Sequence, residues 1–105
     1  MSRTETPTSA EYRFKLTGVL ATAAGNREIN INGPNTMSVS ELISQLVGQI
    51  NKNQFTELLI DSATNNPLPN VIILLNEQDC NLFDGLRTRP ERGTTVTIIP
   101  VAHGG

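Results

Sequence analysis

Apolar and polar residues alternate in two short stretches near the start of the chain. Across Tyr12–Val19, the side chains of Tyr12, Phe14 and Leu16 fall on one face, the period-two signature of a half-buried strand. Glu28–Asn32 alternates again, with Ile29 and Ile31 together. The alanines, Gly25 and Asn26 between them read as a turn or loop, so the two strands form an antiparallel hairpin. Gly33-Pro34-Asn35 ends the second strand. The period then changes. Val39, Leu42, Ile43, Leu46, Val47 and Ile50 recur at steps of three and four, which predicts an amphipathic helix over about 39–51. Ahead of it, Ser38-Val39-Ser40-Glu41 reads as a capping box, and Met37 and Leu42 stand where a hydrophobic staple places them. Gly48 weakens this helix by roughly 1 kcal/mol against alanine and is a candidate for close packing on a sheet.

Beyond the helix, Phe55, Leu58, Leu59 and Ile60 form either a short second helix or an irregular arm over the core edge, and Asn65-Asn66-Pro67 is a turn. Val71–Leu75 is a continuous β-rich apolar run, the pattern of a strand buried on both faces. Asn76–Asp79 turns it. Leu82, Phe83 and Leu86 are short apolar contacts around a tight Asp84-Gly85, and Glu91-Arg92-Gly93 is a further turn. Thr95–Pro100 is the last strand, and Pro100 has no N–H with which to continue the ladder. The economical arrangement is α+β: a mixed sheet of four to five strands, the last one central, with one main helix across one face.

At 105 residues the chain is one domain: a polar lead over 1–10, a folded body over 11–100 and a tail over 101–105. The formal net charge of -2 gives no electrostatic reason to expect nucleic acid. Arg87, Arg89 and Arg92 read as a solvated loop rather than a phosphate contact. No apolar run approaches the length of a membrane span, and MSRTETPTSAE holds no secretion signal core, so the expected location is cytoplasmic. Cys80 is the only cysteine; it forms no internal disulfide, which suits a reducing compartment. A nucleophilic Cys80 would need a base, and the only histidine, His103, lies in the tail. The reading of Cys80 as an ordinary small residue is therefore preferred, and no metal site is expected.

The chain closes on Pro100-Val101-Ala102-His103-Gly104-Gly105. A terminal glycine pair is either a frayed end or a reactive one. Four segments bear on the choice. Val71–Asn76 resembles a hydrophobic strand closed by an asparagine turn, Asp84–Thr88 the segment before a last turn, and Glu91–Val96 an acidic-glycine turn into a final strand. Pro100–Gly105 resembles a reactive tail. Together with the element order, these segments make the chain similar to the β-grasp, or ubiquitin-like, sulfur carriers and modifiers. That group includes the small subunit of molybdopterin synthase, the thiamine-pathway sulfur carrier, the ubiquitin-related modifier and the archaeal small modifier proteins. The first 70 residues match in pattern only. Residues 52–70 are longer than the smallest carriers need. Pro-Val-Ala resembles the molybdopterin subunit while His-Gly-Gly resembles the ubiquitin-related modifier, so the subfamily stays open.

The resemblance implies a carrier or modifier, not an enzyme, acting as a monomer when free. The Gly105 carboxylate would be adenylated by an E1-like enzyme using ATP and magnesium, with no cofactor bound to the chain itself. It would then become a thiocarboxylate or join a target lysine through an isopeptide bond. Partners would be that activating enzyme and a sulfurtransferase, the molybdopterin synthase large subunit, or target proteins, with no nucleic acid or membrane. Val101, Ala102, His103 and Gly104 would thread into the activating enzyme. Five extended residues reach up to ~17 Å, and glycines without Cβ pass a narrow channel. His103 is a polar spacer or an enzyme contact. Docking is expected on the sheet face away from the helix, with Ile98 and Val101 as members and Phe83 or Leu86 at the edge; Ile98 and Phe83 equally suit the core. Lys15 and Lys52 are the internal acceptors. The alternatives are a small subunit of molybdopterin synthase, a noncovalent ubiquitin-like binding module, and an enzyme using Cys80.

Overall fold

The computed structural model describes residues 9–34 and 37–101. Its elements are β1 (Ser9–Leu16), α1 (Gly18–Ala24), β2 (Glu28–Pro34), α2 (Val39–Ile50), α3 (Asn53–Leu59), β3 (Val71–Leu75), β4 (Gln78–Asp79) and β5 (Thr95–Pro100). Short 3-10 turns at Cys80–Leu82 and Gly85–Arg87 follow β4. The strands form one sheet in the order β2-β1-β5-β3-β4. β5 is central: it runs parallel to β1, pairing Phe14 with Val96 and Leu16 with Ile98. On its other side it runs antiparallel to β3, pairing Ile73 with Ile98.

One face of the sheet is covered. Tyr12, Phe14, Leu16, Ile31, Val71, Ile73, Leu75, Val96 and Ile98 are buried there with Leu42, Ile43 and Leu46 of α2 and Phe55 and Leu59 of α3. α2 starts where its sequence says it should. The Glu41 amide donates to Ser38 Oγ at 3.1 Å, and the Ser38 amide donates to Glu41 Oε1 at 2.8 Å, a complete capping box. It ends at Asn51, whose φ of 53° is left-handed, a conformation asparagine tolerates.

Four sequence expectations change. Residues 18–24 form a helix, not a loop. Its alanines favour that state, and Leu20 and Ala24, one turn apart, are both buried. β1 accordingly ends at Leu16 rather than Val19. β3 is buried on one face only: Val71, Ile73 and Leu75 point inward while Ile72 is 41 % exposed. A run of five apolar residues carries no alternation to reveal this. Finally, Gly48 packs on nothing; a Cβ there would meet no atom within 4 Å. Of the two readings of residues 52–60, the helix is correct.

Candidate functional site at the root of the tail

β5 leaves the sheet at an end where two segments, Thr17-Gly18 and Asn70, converge on it. Thr17, just past β1, donates its hydroxyl to the Ile98 carbonyl at 3.2 Å. Next to it, Gly18 has a φ of +57°, and a Cβ there would lie 3.3 Å from Pro100 Cγ, so the ring of Pro100 rests against bare backbone. On the opposite side, the Val101 amide donates to the Asn70 carbonyl at 2.9 Å. Asn70 is itself held, its Nδ2 donating to the Leu58 carbonyl of α3 at 3.3 Å. The backbone is thus pinned from both flanks through Val101, whose side chain is exposed. Ala102, His103, Gly104 and Gly105 lie outside the described residues.

The uncovered sheet face adjoins this root. Register places Ile72 opposite Ile99 and Leu74 opposite Thr97, and Lys15 beside Thr97. Ile72 is exposed, while Leu74 and Ile99 are half-buried. Together they make an apolar strip across β3 and β5, with Thr97, Lys15 and Arg13 continuing the face over β1.

The expected docking residues fall differently. Ile98 is fully buried among the helices and is no surface residue; its neighbour Ile99 faces outward, because a shift of one position along a strand changes the face. The phase was legible, since Thr95 and Thr97 share Ile99's parity and Val96 shares that of Ile98. Leu86 is partly buried against the core. Phe83 is half exposed, but it follows β4 near the Leu75 end of β3 and lines a shallow surface cleft with Leu75, Asn76 and Pro90. The tail root is at the Val71 end. Ile72 and Leu74 were missed because their strand was read as buried on both sides.

Lys15 is exposed on the open face. Lys52 donates Nζ to the Ala24 carbonyl at the end of α1, 3.3 Å away. Cys80 is fully buried; burial pushes its thiol pKa up, and the charge of Asp79 adds to the rise. That disfavours the thiolate a nucleophile requires. Among the described residues, no three His, Cys, Asp or Glu side chains come together as a metal site, and no helix is long and apolar enough to cross a membrane. The arginine group is surface chain: Arg89 reaches Glu41 at 3.7 Å with both side chains largely exposed, an arrangement of little energetic weight.

A sheet ordered 2-1-5-3-4, with β1 parallel to the central β5 and a helix laid across one face, defines a β-grasp protein of the ubiquitin-like class. The ThiS family profile matches residues 14–105, and the chain belongs to that family of small β-grasp carriers and modifiers. Solved structures share the fold at low identity. Small archaeal modifier protein 1 from Methanosarcina acetivorans is 22% identical with a TM-score of 0.77, over 92% of this chain and 98% of that one. Urm1 from Trypanosoma brucei is 20% identical with a TM-score of 0.72, over 95% and 100%. The Amycolatopsis orientalis BexX/CysO complex contains a chain 20% identical with a TM-score of 0.68, over 90% and 99%. No curated protein sequence matches the chain.

Proposed function

We propose that the chain is an acyl carrier whose Gly105 carboxylate is activated by an E1-like enzyme and passed to sulfur or to a lysine. A carboxylate is a poor acyl donor. An oxygen of Gly105 attacks the α-phosphorus of ATP, pyrophosphate leaves, and an acyl-adenylate results. The outer sulfur of a sulfurtransferase persulfide then displaces AMP to give an acyl disulfide. A thiol cleaves this to the thiocarboxylate and leaves as a disulfide with the sulfurtransferase cysteine. Alternatively, a lysine amine displaces AMP and loses a proton to yield an isopeptide bond. Magnesium and ATP belong to the activating enzyme. The sulfur could serve a molybdopterin synthase large subunit or another thiolation pathway, and the Pro100-Val101-Ala102 tail suits the first of these.

The observation that carries this reading is the pinning of β5 through Val101. The strand bearing the tail is the central one, tied to β1 through Thr17 and to β3 through Asn70. A rigid root sets where the following four residues begin, which limits the ordering cost of entering an active site, about 1–2 kcal/mol per residue. The open strip of Ile72, Leu74 and Ile99, beside that root, supplies the docking surface, and the BexX/CysO complex suggests the kind of partner that uses it.

The test is intact-mass analysis after incubation with the activating enzyme of the same host, ATP, magnesium and a sulfur donor. Oxygen replaced by sulfur at Gly105, or an adduct ending in this tail, is expected. Gly105→Ala and a tag fused after Gly105 should both abolish it. No mass change in the parent would overturn the proposal in favour of a noncovalent module working through the open face alone, and full product from either variant would remove Gly105 as the reacting group.

A further inference from the structure

Lysine is scarce here: Lys15 and Lys52 are the only two in the chain. The structure places them in different situations. Lys52 sits at the N-cap of α3, and its ammonium is committed to the Ala24 carbonyl, 3.3 Å away. That carbonyl is at the C-terminal end of α1, where a positive charge is favoured, so although Lys52 is exposed as well, this contact competes with reaction at its nitrogen. Lys15 alternates along β1 with buried Phe14 and Leu16 and is exposed. Its neighbours across the strands are Glu28 on β2 and Thr97 on β5, with Arg13 two positions back on the same face. Among the described residues, the Lys15 side chain makes no hydrogen bond or ion pair. Among the described residues no helix covers the sheet on this side, so a slender acyl terminus can approach from above.

We propose that Lys15 is the acceptor when an activated tail is transferred to a second copy of this chain. The inference rests on the carrier reading above and specifies one acceptor for it. The Lys15 ammonium first gives a proton to solvent. Its Nζ then forms a C–N bond to the Gly105 carbonyl carbon of the donor copy. The C–O bond to the adenylate breaks, its electron pair leaves with AMP, and a second proton goes from nitrogen to solvent. The adenylate is made by the activating enzyme from ATP, so no further co-reactant is required.

Two measurements test it on the full chain. Limiting sulfo-N-hydroxysuccinimidyl acetate, a simple activated ester, should acetylate Lys15 at least five times faster than Lys52, as read by peptide mass analysis. Equal or reversed rates would remove the geometric basis. The chain is then incubated with its host's activating enzyme, ATP and magnesium and digested with trypsin. Because Arg92 is the last basic cleavage site, a self-conjugate carries Gly93–Gly105 as a branch. That branch should sit on Lys15. Lys15→Arg should reduce self-conjugate about tenfold, while Lys52→Arg leaves it within twofold. Adenylate or thiocarboxylate at Gly105 with no branch on Lys15 overturns this proposal and leaves the carrier reading standing. Activation absent altogether overturns both.

Discussion

The amide of Val101 is held by the carbonyl of Asn70, and this bond fastens the end of the central strand to the beginning of β3. It depends on α3 as well, because the side chain of Asn70 is tied to Leu58. The root of the tail is therefore coupled to a helix that makes no contact with it through chain order. Asn70→Ala should cost about 1 kcal/mol, the usual net worth of such a hydrogen bond. Amide exchange should show where the loss falls: the Val101 N–H, protected in the parent, should exchange faster in the variant, while amides at the centre of β5 change little. Unaltered protection at Val101 would mean that Leu58 does not steady the root.

Gly18 holds the other flank. Its positive φ suits glycine, and the space a Cβ would need is bounded by Pro100. Gly18→Ala should destabilise the fold by roughly 1–2 kcal/mol through the left-handed conformation alone, with Pro100 displaced by the added methyl group. Thermal denaturation gives the first quantity, and chemical-shift changes confined to Thr17, Pro100 and Val101 would report the second. A variant as stable as the parent would show that the backbone here relaxes freely.

The capping box makes a prediction about acid. The Ser38 amide bond holds the Glu41 carboxyl below the ordinary glutamate range; desolvation opposes it, and the Ser38 side chain and Arg89 add lesser lowering effects. A group lowered in the native state contributes stability above its unfolded value, about 4.3, and loses that contribution as pH falls through the native one. Glu41→Gln keeps an acceptor for the Ser38 amide but removes the titration. The parent should thus exceed the variant in melting temperature at neutral pH, and the difference should shrink as the solution is taken below pH 4. A difference that does not vary with pH would contradict this assignment.

What the sequence disclosed follows a physical rule. Features set by neighbours in the chain were readable: the Ser38–Glu41 cap, the three-and-four spacing of α2, the alternation of β1 and β2, and the central place of β5. Features set by partners distant in the chain were not. Val71–Leu75 is apolar at every position, so only its register with β5 shows that Ile72 faces out. Ile98 and Ile99 differ, because the threonines at 95 and 97 already mark the side of Ile99 as the open one. α1 escaped because only Leu20 and Ala24 are buried in it, too few positions to establish a period, and Gly18 and Gly25 at its ends resemble a loop. The chemistry of the tail was visible as Gly104-Gly105, whereas the bonds that fix its root, from Thr17 and Asn70, join residues 81 and 31 positions apart from their partners.

Ile72 and Ile98 separate docking from folding. Ile98→Ala removes a fully buried side chain and should cost 2–5 kcal/mol, seen as a lower denaturant midpoint. Ile72→Ala truncates a side chain that is 41 % exposed and should cost about 1 kcal/mol or less. Placing charge at the same point is a sharper probe. In Ile72→Asp the carboxylate stands beside Ile99 and Leu74, where a partner's apolar surface would have to strip its water. A loss of tenfold in activation corresponds to only about 1.4 kcal/mol, less than the cost of burying an unpaired carboxylate. Adenylation rates measured at limiting activating enzyme should therefore fall more than tenfold, with circular dichroism unchanged. Phe83→Ala, at the far end of β3 from the tail, should stay within twofold of the parent. The reverse pattern, with Phe83 sensitive and Ile72 indifferent, would move the docking surface to the loops after β4 and detach it from the root of the tail.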